Sequence, residues 1–243
     1  MTRLERIRMA ALFGEPLFYI YLIYGVSFLV MAGFIIRGIT RATALTLVSP
    51  FSMLAAFGLT HGITEMIDWV RYIRQALSQS ENAGLLYASQ ILLVISFVLL
   101  LQFGINLLTY KNSQSKGPRA IPSLLVLFFL AAIYIFGISD ISQIGLIARY
   151  SFGFAGSSLS AIMLFRLSNT VKPLGNKKLN RGLIVSAVSL AAYAFFGGVI
   201  VTSLFGLPIQ LFRTVCAFVI AVASASILEI FKIKNPASRR PSY

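Results

Sequence analysis

Charge is scarce in this chain: 12% of its 243 residues are charged and 58% are hydrophobic. A water-solvated globule of this size needs far more charge to coat its surface, so that class is excluded. The one cysteine, Cys216, has no partner in the chain, which excludes a disulfide framework and a cysteine zinc site. The one histidine, His61, excludes bis-histidine haem ligation and a three-histidine zinc site. A histidine–methionine haem would need Met53, Met66 or Met163 nearby, and methionine is more often a core filler, so haem is not expected. Every lysine lies in a loop, at a span end or in the tail, so retinal, which needs a Schiff-base lysine deep in a span, is excluded. No phosphate-cradling glycine loop, nucleophile–base set or metal-ligand cluster occurs, and catalysis by this chain alone is not expected.

What the chain does have is long apolar blocks. They predict an all-α, polytopic membrane protein, a seven-helix bundle spanning Glu15 to Ile36, Leu47 to Tyr72, Gly84 to Tyr110, Ile121 to Ile138, Arg149 to Leu167, Leu183 to Phe205 and Ile209 to Phe231. Residues 1–14 read as an interfacial amphipathic segment, with Leu4, Ile7, Ala11 and Leu12 opposite Arg3 and Arg6. Residues 15–231 form the membrane domain, and 232–243 a basic tail.

Lysine and arginine set the orientation. Fourteen fall on the first, third and fifth connections and the tail, and six on the opposite side, interleaved with acidic residues. The N-terminus is therefore expected outside and the C-terminus in the cytoplasm, although Arg3, Arg6 and Arg8 run against this. The net charge of +14 then follows from topology and attraction to anionic lipid headgroups, without nucleic acid.

Ionisable residues inside a span are expensive and mark sites or internal pairs. His61, Glu65 and Asp68 are spaced i, i+4, i+7 and share one face of the second span. Asp140 ending span four, Arg149 opening span five, and Gln210 with Arg213 opening span seven are expected at the same depth, forming an outer-half polar pocket. Its ligand would be a proton, a small molecule, a quinone-like head or a lipid, with Arg149 or Arg213 countering the carboxylates. The alternative is an internal ion-pair network that fixes helix packing. Gly153 and Gly156 in span five, and Ala217 and Ala221 in span seven, form small-residue stripes for close packing or for sliding of span seven. Gln102 and Asn106 are expected to bond between helices, and Glu229 to pair locally beside Lys232.

The segment Leu54 to Glu65, LAAFGLTHGITE, resembles the L-A-A-F-G-x-x-H-G-x-x-E pattern of the N-terminal multi-helix membrane sensor regions of some bacterial histidine kinases and diguanylate cyclases. Tyr24-Gly25, Ala148-Arg149-Tyr150 with Gly153 and Gly156, the run GLPIQLFR from Gly206 to Arg213, and Leu228 to Phe231 extend the resemblance over nearly the whole chain. It implies a multi-pass protein of the bacterial inner membrane that receives a signal and passes it on through span seven. Two features depart from the family. The outer segment before Gly206 is shorter, and the kinase or cyclase output domain does not follow, so a separate protein partner is expected. The competing expectations are a non-catalytic accessory subunit of a respiratory or photosynthetic complex, and a small transporter. Transport ranks last because no inverted repeat or pair of broken helices appears.

Overall fold

The computed structural model describes residues 12–40, 45–109, 120–200 and 203–229. The interfacial segment and the basic tail lie almost wholly outside these. The described chain is overwhelmingly helical: α1 (Pro16–Ile39), α2 (Leu45–Ala76), α3 (Ala83–Leu108), α4 (Ile121–Ile135), α5 (Ile141–Ala148), α6 (Phe154–Val171), α7 (Lys177–Gly198) and α8 (Ile209–Glu229). A π-helical turn, Arg149–Gly153, joins α5 to α6 without a break, and a 3-10 turn, Lys172–Leu174, follows α6.

Local chemistry sets the boundaries. Pro16 opens α1, where its missing N–H costs nothing. Asn82, Asp140 and Asn176 cap α3, α5 and α7, each side chain accepting a hydrogen bond from a first-turn amide. Among the described residues, four helices are long and apolar enough to cross a membrane: α1, α3, α7 and α8, the last over Ile209–Leu228. At 1.5 Å per residue the shortest reaches roughly 30 Å, the thickness of a hydrocarbon core. α2 has the length, but its own His61, Glu65, Asp68, Arg71 and Arg74 lower its hydropathy.

Several expected boundaries are corrected. The sixth helix stops at Gly198, not Phe205, and Ser203–Leu204 pairs antiparallel with Leu207–Pro208 as a short hairpin, β1 and β2. Its two turn residues, Phe205 and Gly206, have φ of 53° and 77°, the doubly positive pattern whose twist matches a two-residue hairpin. The glycine accepts this freely; the phenylalanine does so under strain. The fifth helical stretch begins at Ile141, so Arg149 lies inside it and not at its head. Asp140 therefore belongs to the start of α5. The expected loop from Ser168 to Gly182 is mostly helix, and α4 ends at Ile135, short of Ile138.

α1 packs on α2 and α8, α2 on α3, α3 on α6, α6 on α7, and α7 on α8, which closes a ring of six helices. α4 stands outside it, with α3 as its main neighbour and Phe128, Tyr134 and Phe136 all more than 70% exposed. Tyr24, Phe28, Phe57, Phe97 and Leu100 fill the ring. Gly58 and Gly62, either side of His61, let α2 lie against α1. A Cβ added at Gly58 would stand 3.1 Å from the Phe28 carbonyl oxygen, and at Gly62 3.1 Å from that of Gly25. This small-x-x-x-small spacing brings the two backbones together, and it fixes which way the intervening histidine points.

Candidate functional site

His61 is fully buried within the ring. Phe57 stacks on it with centroids 5.2 Å apart, Phe28 meets it edge-on at 4.6 Å, and Phe97 lies at 5.4 Å. Its two nitrogens reach three other helices. Nδ1 is 3.1 Å from Ser96 Oγ on α3, while Nε2 is 3.0 Å from the Tyr193 hydroxyl on α7 and 3.3 Å from the Tyr24 hydroxyl on α1.

The hydrogen-bond network assigns the tautomer. Ser96 Oγ donates its one proton to the Leu93 carbonyl at 2.7 Å, so Nδ1–H must donate to Ser96 Oγ. In a neutral ring Nε2 is then an acceptor, served by Tyr193. One turn along α2, Glu65 Oε1 stands 3.5 Å from that same Nε2. A lone pair facing an ionised carboxylate is repulsive, so a proton belongs to this pair, carried either by Glu65 or by the imidazole. Glu65 is only 4% exposed, and among the described residues His61 is its one ion-pair partner.

Two arginines act electrostatically on both His61 and Glu65, yet neither forms an ion pair with the carboxylate. Arg213, on the first turns of α8 and 4% exposed, donates from Nε to the Phe196 carbonyl at 2.9 Å and from Nη2 to that of Ile200 at 3.4 Å. It thus caps the negative end of α7, where a cation is favoured. Arg149 projects from the π-helical turn, with its guanidinium carbon 5.8 Å from the Phe97 ring centre. Its Nη1 is buried and has no hydrogen-bond acceptor among the described residues. π-helical turns insert one residue into a helix and often mark functional positions. Around one buried carboxylate there are thus two buried or half-buried cations, one of them with an orphaned donor.

Above this layer lies a cavity of about 350 Å³ lined by Tyr21, Asp68, Arg71, Tyr72 and the turn after α2. Asp68 accepts from Arg71 Nη1 and from Ser89 Oγ, both at 2.7 Å, and Arg71 also pairs with Glu81. Tyr21 spans the two layers. It stacks on Tyr72, accepts from Gln210 Nε2 at 3.3 Å, and has Glu65, Asp68 and Arg149 as electrostatic neighbours.

Of the expected pocket residues, His61, Glu65, Arg149 and Arg213 therefore converge. Asp68 joins the upper layer as a structural ion pair, and Gln210 reaches it through Tyr21. Asp140 does not join: its carboxylate caps α5 by accepting from Ser142 N at 2.8 Å. Gly153 packs on the Phe97 ring and Gly156 on the α3 backbone, where an added Cβ would stand 2.8 Å from Leu101 N. Ala217 and Ala221 are buried. Gln102 and Asn106 bond to each other along α3 at 2.7 Å, not between helices. The side chain of Glu229 lies outside the described residues.

Sequence reasoning missed Ser96, Tyr193 and Tyr21 as site members. A tyrosine within an apolar span, whose hydroxyl needs a buried partner, was the available signal for Tyr193; Ser96 gave none. No family model, curated protein or solved structure matches this chain.

Proposed function

We propose that this chain is a seven-pass signal-reception module of the bacterial inner membrane, with its N-terminus outside and its C-terminus in the cytoplasm. In this reading, occupancy or protonation of the His61–Glu65 site biases α8 and, through it, a cytoplasmic partner. The observation that carries it is the proton-sharing His61–Glu65 pair, held by groups from α1, α3 and α7 and overlooked by an arginine with an orphaned donor. A buried site of this kind exchanges a proton with whatever enters it and offers a guanidinium to an incoming acceptor oxygen. A quinone-like head, with a carbonyl to accept and a proton to exchange, fits that chemistry; a lipid headgroup oxygen is the other candidate.

Coupling to α8 follows from contacts. Gln210 and Arg213 sit in the first two turns of α8 and bond to Tyr21 and to the end of α7. A change of charge beside Arg213 therefore bears directly on the α7–α8 junction. Ala217 and Ala221 give α8 a smooth buried face, along which a second packing differs little in energy. A ligand shifts that balance only by binding one packing better than the other. The role is reception and not catalysis. The resemblance to sensor regions and the bias of lysine and arginine toward one side support the same assignment.

One observation favours a second reading, a non-catalytic subunit of a respiratory or photosynthetic complex. α4 presents Phe128, Tyr134 and Phe136 away from its own chain, a surface suited to a neighbouring subunit. Mass spectrometry of proteins that co-purify with the tagged chain in mild detergent separates the two. A kinase, cyclase or response regulator supports reception; reproducible recovery of cytochrome or reaction-centre subunits replaces it with the second reading.

A further inference from the structure

Gln102 and Asn106 are two carboxamides in the C-terminal half of α3, one of the helices long and apolar enough to cross a membrane. Gln102 Nε2 donates to Asn106 Oδ1 at 2.7 Å, and both side chains are half-buried. Ile91, Ile95, Gln102 and Asn106 are spaced i, i+4, i+11 and i+15, which puts all four on one face of the helix. That face points away from the ring. Ile91 and Ile95 are 54% and 44% exposed, whereas Phe103 meets Phe51 of α2 and Gly104 meets Ser160 of α6 from other sides of the same helix.

The single bond between the two amides leaves hydrogen-bonding capacity unused. Gln102 Oε1 can still accept and the Asn106 amide nitrogen can still donate, and neither has a partner among the described residues. Water would hydrate such groups, but hydrocarbon offers them nothing, so an unmet carboxamide at a lipid-facing position costs free energy that a hydrogen-bonding neighbour recovers. The isoleucines above them make the rest of the face apolar, as a contact with another membrane helix requires.

We propose that this face of α3 is a homodimer contact, met by a second copy of the chain across a two-fold axis. Because Gln102 reaches one turn along the helix to Asn106, the two amides lie at the same depth, and a two-fold axis beside them sets each against the other's counterpart. The Asn106 amide of one copy then donates to Gln102 Oε1 of the second, and the reverse. Four amides close a ring in which each donates once and accepts once. Turning all the amides over closes the same ring in the opposite sense. A second copy is the occupant that fits, because this face leaves one donor and one acceptor unmet and an identical face supplies the same two. A lipid chain meets neither. Side-chain hydrogen bonds of this type hold membrane helices together.

Energy transfer between donor- and acceptor-labelled full chains in phosphatidylcholine vesicles tests this, each chain carrying its dye at Ser80→Cys in a Cys216→Ser background. The expected result is transfer that persists on dilution with lipid and falls when unlabelled chain is added. Gln102→Leu together with Asn106→Leu should weaken the association by roughly tenfold, the loss of two interchain bonds of the strength found between membrane helices. Helix content and unfolding temperature should stay unchanged in this variant, since leucine suits a lipid-facing position, and that separates loss of the contact from loss of the fold. Phe128→Ala, on the exposed face of α4, should associate as the native chain does. Transfer no greater than chance encounter gives, or unchanged association in the double variant, would overturn the proposal. So would an equal loss in Phe128→Ala, which would move the contact to α4.

Discussion

Tyr193 and His61 are 132 residues apart in sequence, yet the tyrosine hydroxyl lies 3.0 Å from the histidine Nε2 inside the helix ring. That bond ties α7 to α2, while the bond of Ser96 to the Leu93 carbonyl is what places a proton on Nδ1 of the ring. Tyr193→Phe removes the nearer hydroxyl and leaves the buried Nε2 to Glu65 and the longer Tyr24 contact. We expect a loss of about 1 kcal/mol, read as a lower unfolding temperature in detergent. Tyr24→Phe, acting on a longer 3.3 Å contact, should cost less. Equal effects would mean that the two hydroxyls share the nitrogen evenly.

The contact between α1 and α2 rests on Gly58 and Gly62. Gly62→Leu forces a side chain into Leu29 and the Gly25 carbonyl. Overpacking of this kind costs about 1–3 kcal/mol, and thermal unfolding of the purified variant should show it. Gly33→Leu, on the same helix as Gly25 but with nothing within 4 Å of an added Cβ, should be nearly silent. Comparable losses in both would show that the close approach at Gly62 does not matter.

Arg213 and Asp68 should separate structure from reception in opposite ways. Asp68→Asn weakens a partly exposed pair with Arg71, so a loss of at most about 1 kcal/mol is expected. Arg213→Gln leaves the partly buried Phe196 and Ile200 carbonyls without their charged donor, at about 1.5–3 kcal/mol. Amide hydrogen exchange should rise at the end of α7 and in the β1–β2 hairpin for the second variant only. Exchange spread evenly over the chain would contradict the capping role.

Orientation is open to labelling. In a Cys216→Ser background, Ser80→Cys, in the exposed turn after α2, should react with a membrane-impermeant thiol reagent added to intact cells. Lys172→Cys, in the turn before α7, should react only after permeabilisation. The reverse pattern would invert the topology.

How much of this was legible beforehand varied with the physics of each signal. Helical class and most of the helix positions followed from apolar block length, and the i, i+4 spacing of His61 and Glu65 was enough to put both into one site. Arg149 was grouped with them as the head of a helix, whereas it lies inside one. The helix starts earlier because Asp140 caps it, and the π-helical turn that aims Arg149 inward leaves no mark in hydropathy. Residues Val199 to Phe205 read as helix because they are apolar, whereas the Phe205–Gly206 turn that ends the run is a backbone feature carried by one glycine. Tyr193 and Ser96 belong to the site only through the closure of the ring, which no local pattern encodes.

The central claim is that the protonation state of the His61–Glu65 pair sets the packing of α8. Double electron–electron resonance between spin labels at Ile91→Cys on α3 and Val215→Cys on α8, both exposed positions, measures that packing directly in a Cys216→Ser background. On moving from mildly alkaline to mildly acidic buffer, the distance distribution should shift in the otherwise native chain and stay fixed in the Glu65→Gln variant, whose side chain cannot ionise. A native chain that shows no shift, or a Glu65→Gln variant that shifts to the same extent, would contradict the claim and leave the buried pair as packing alone.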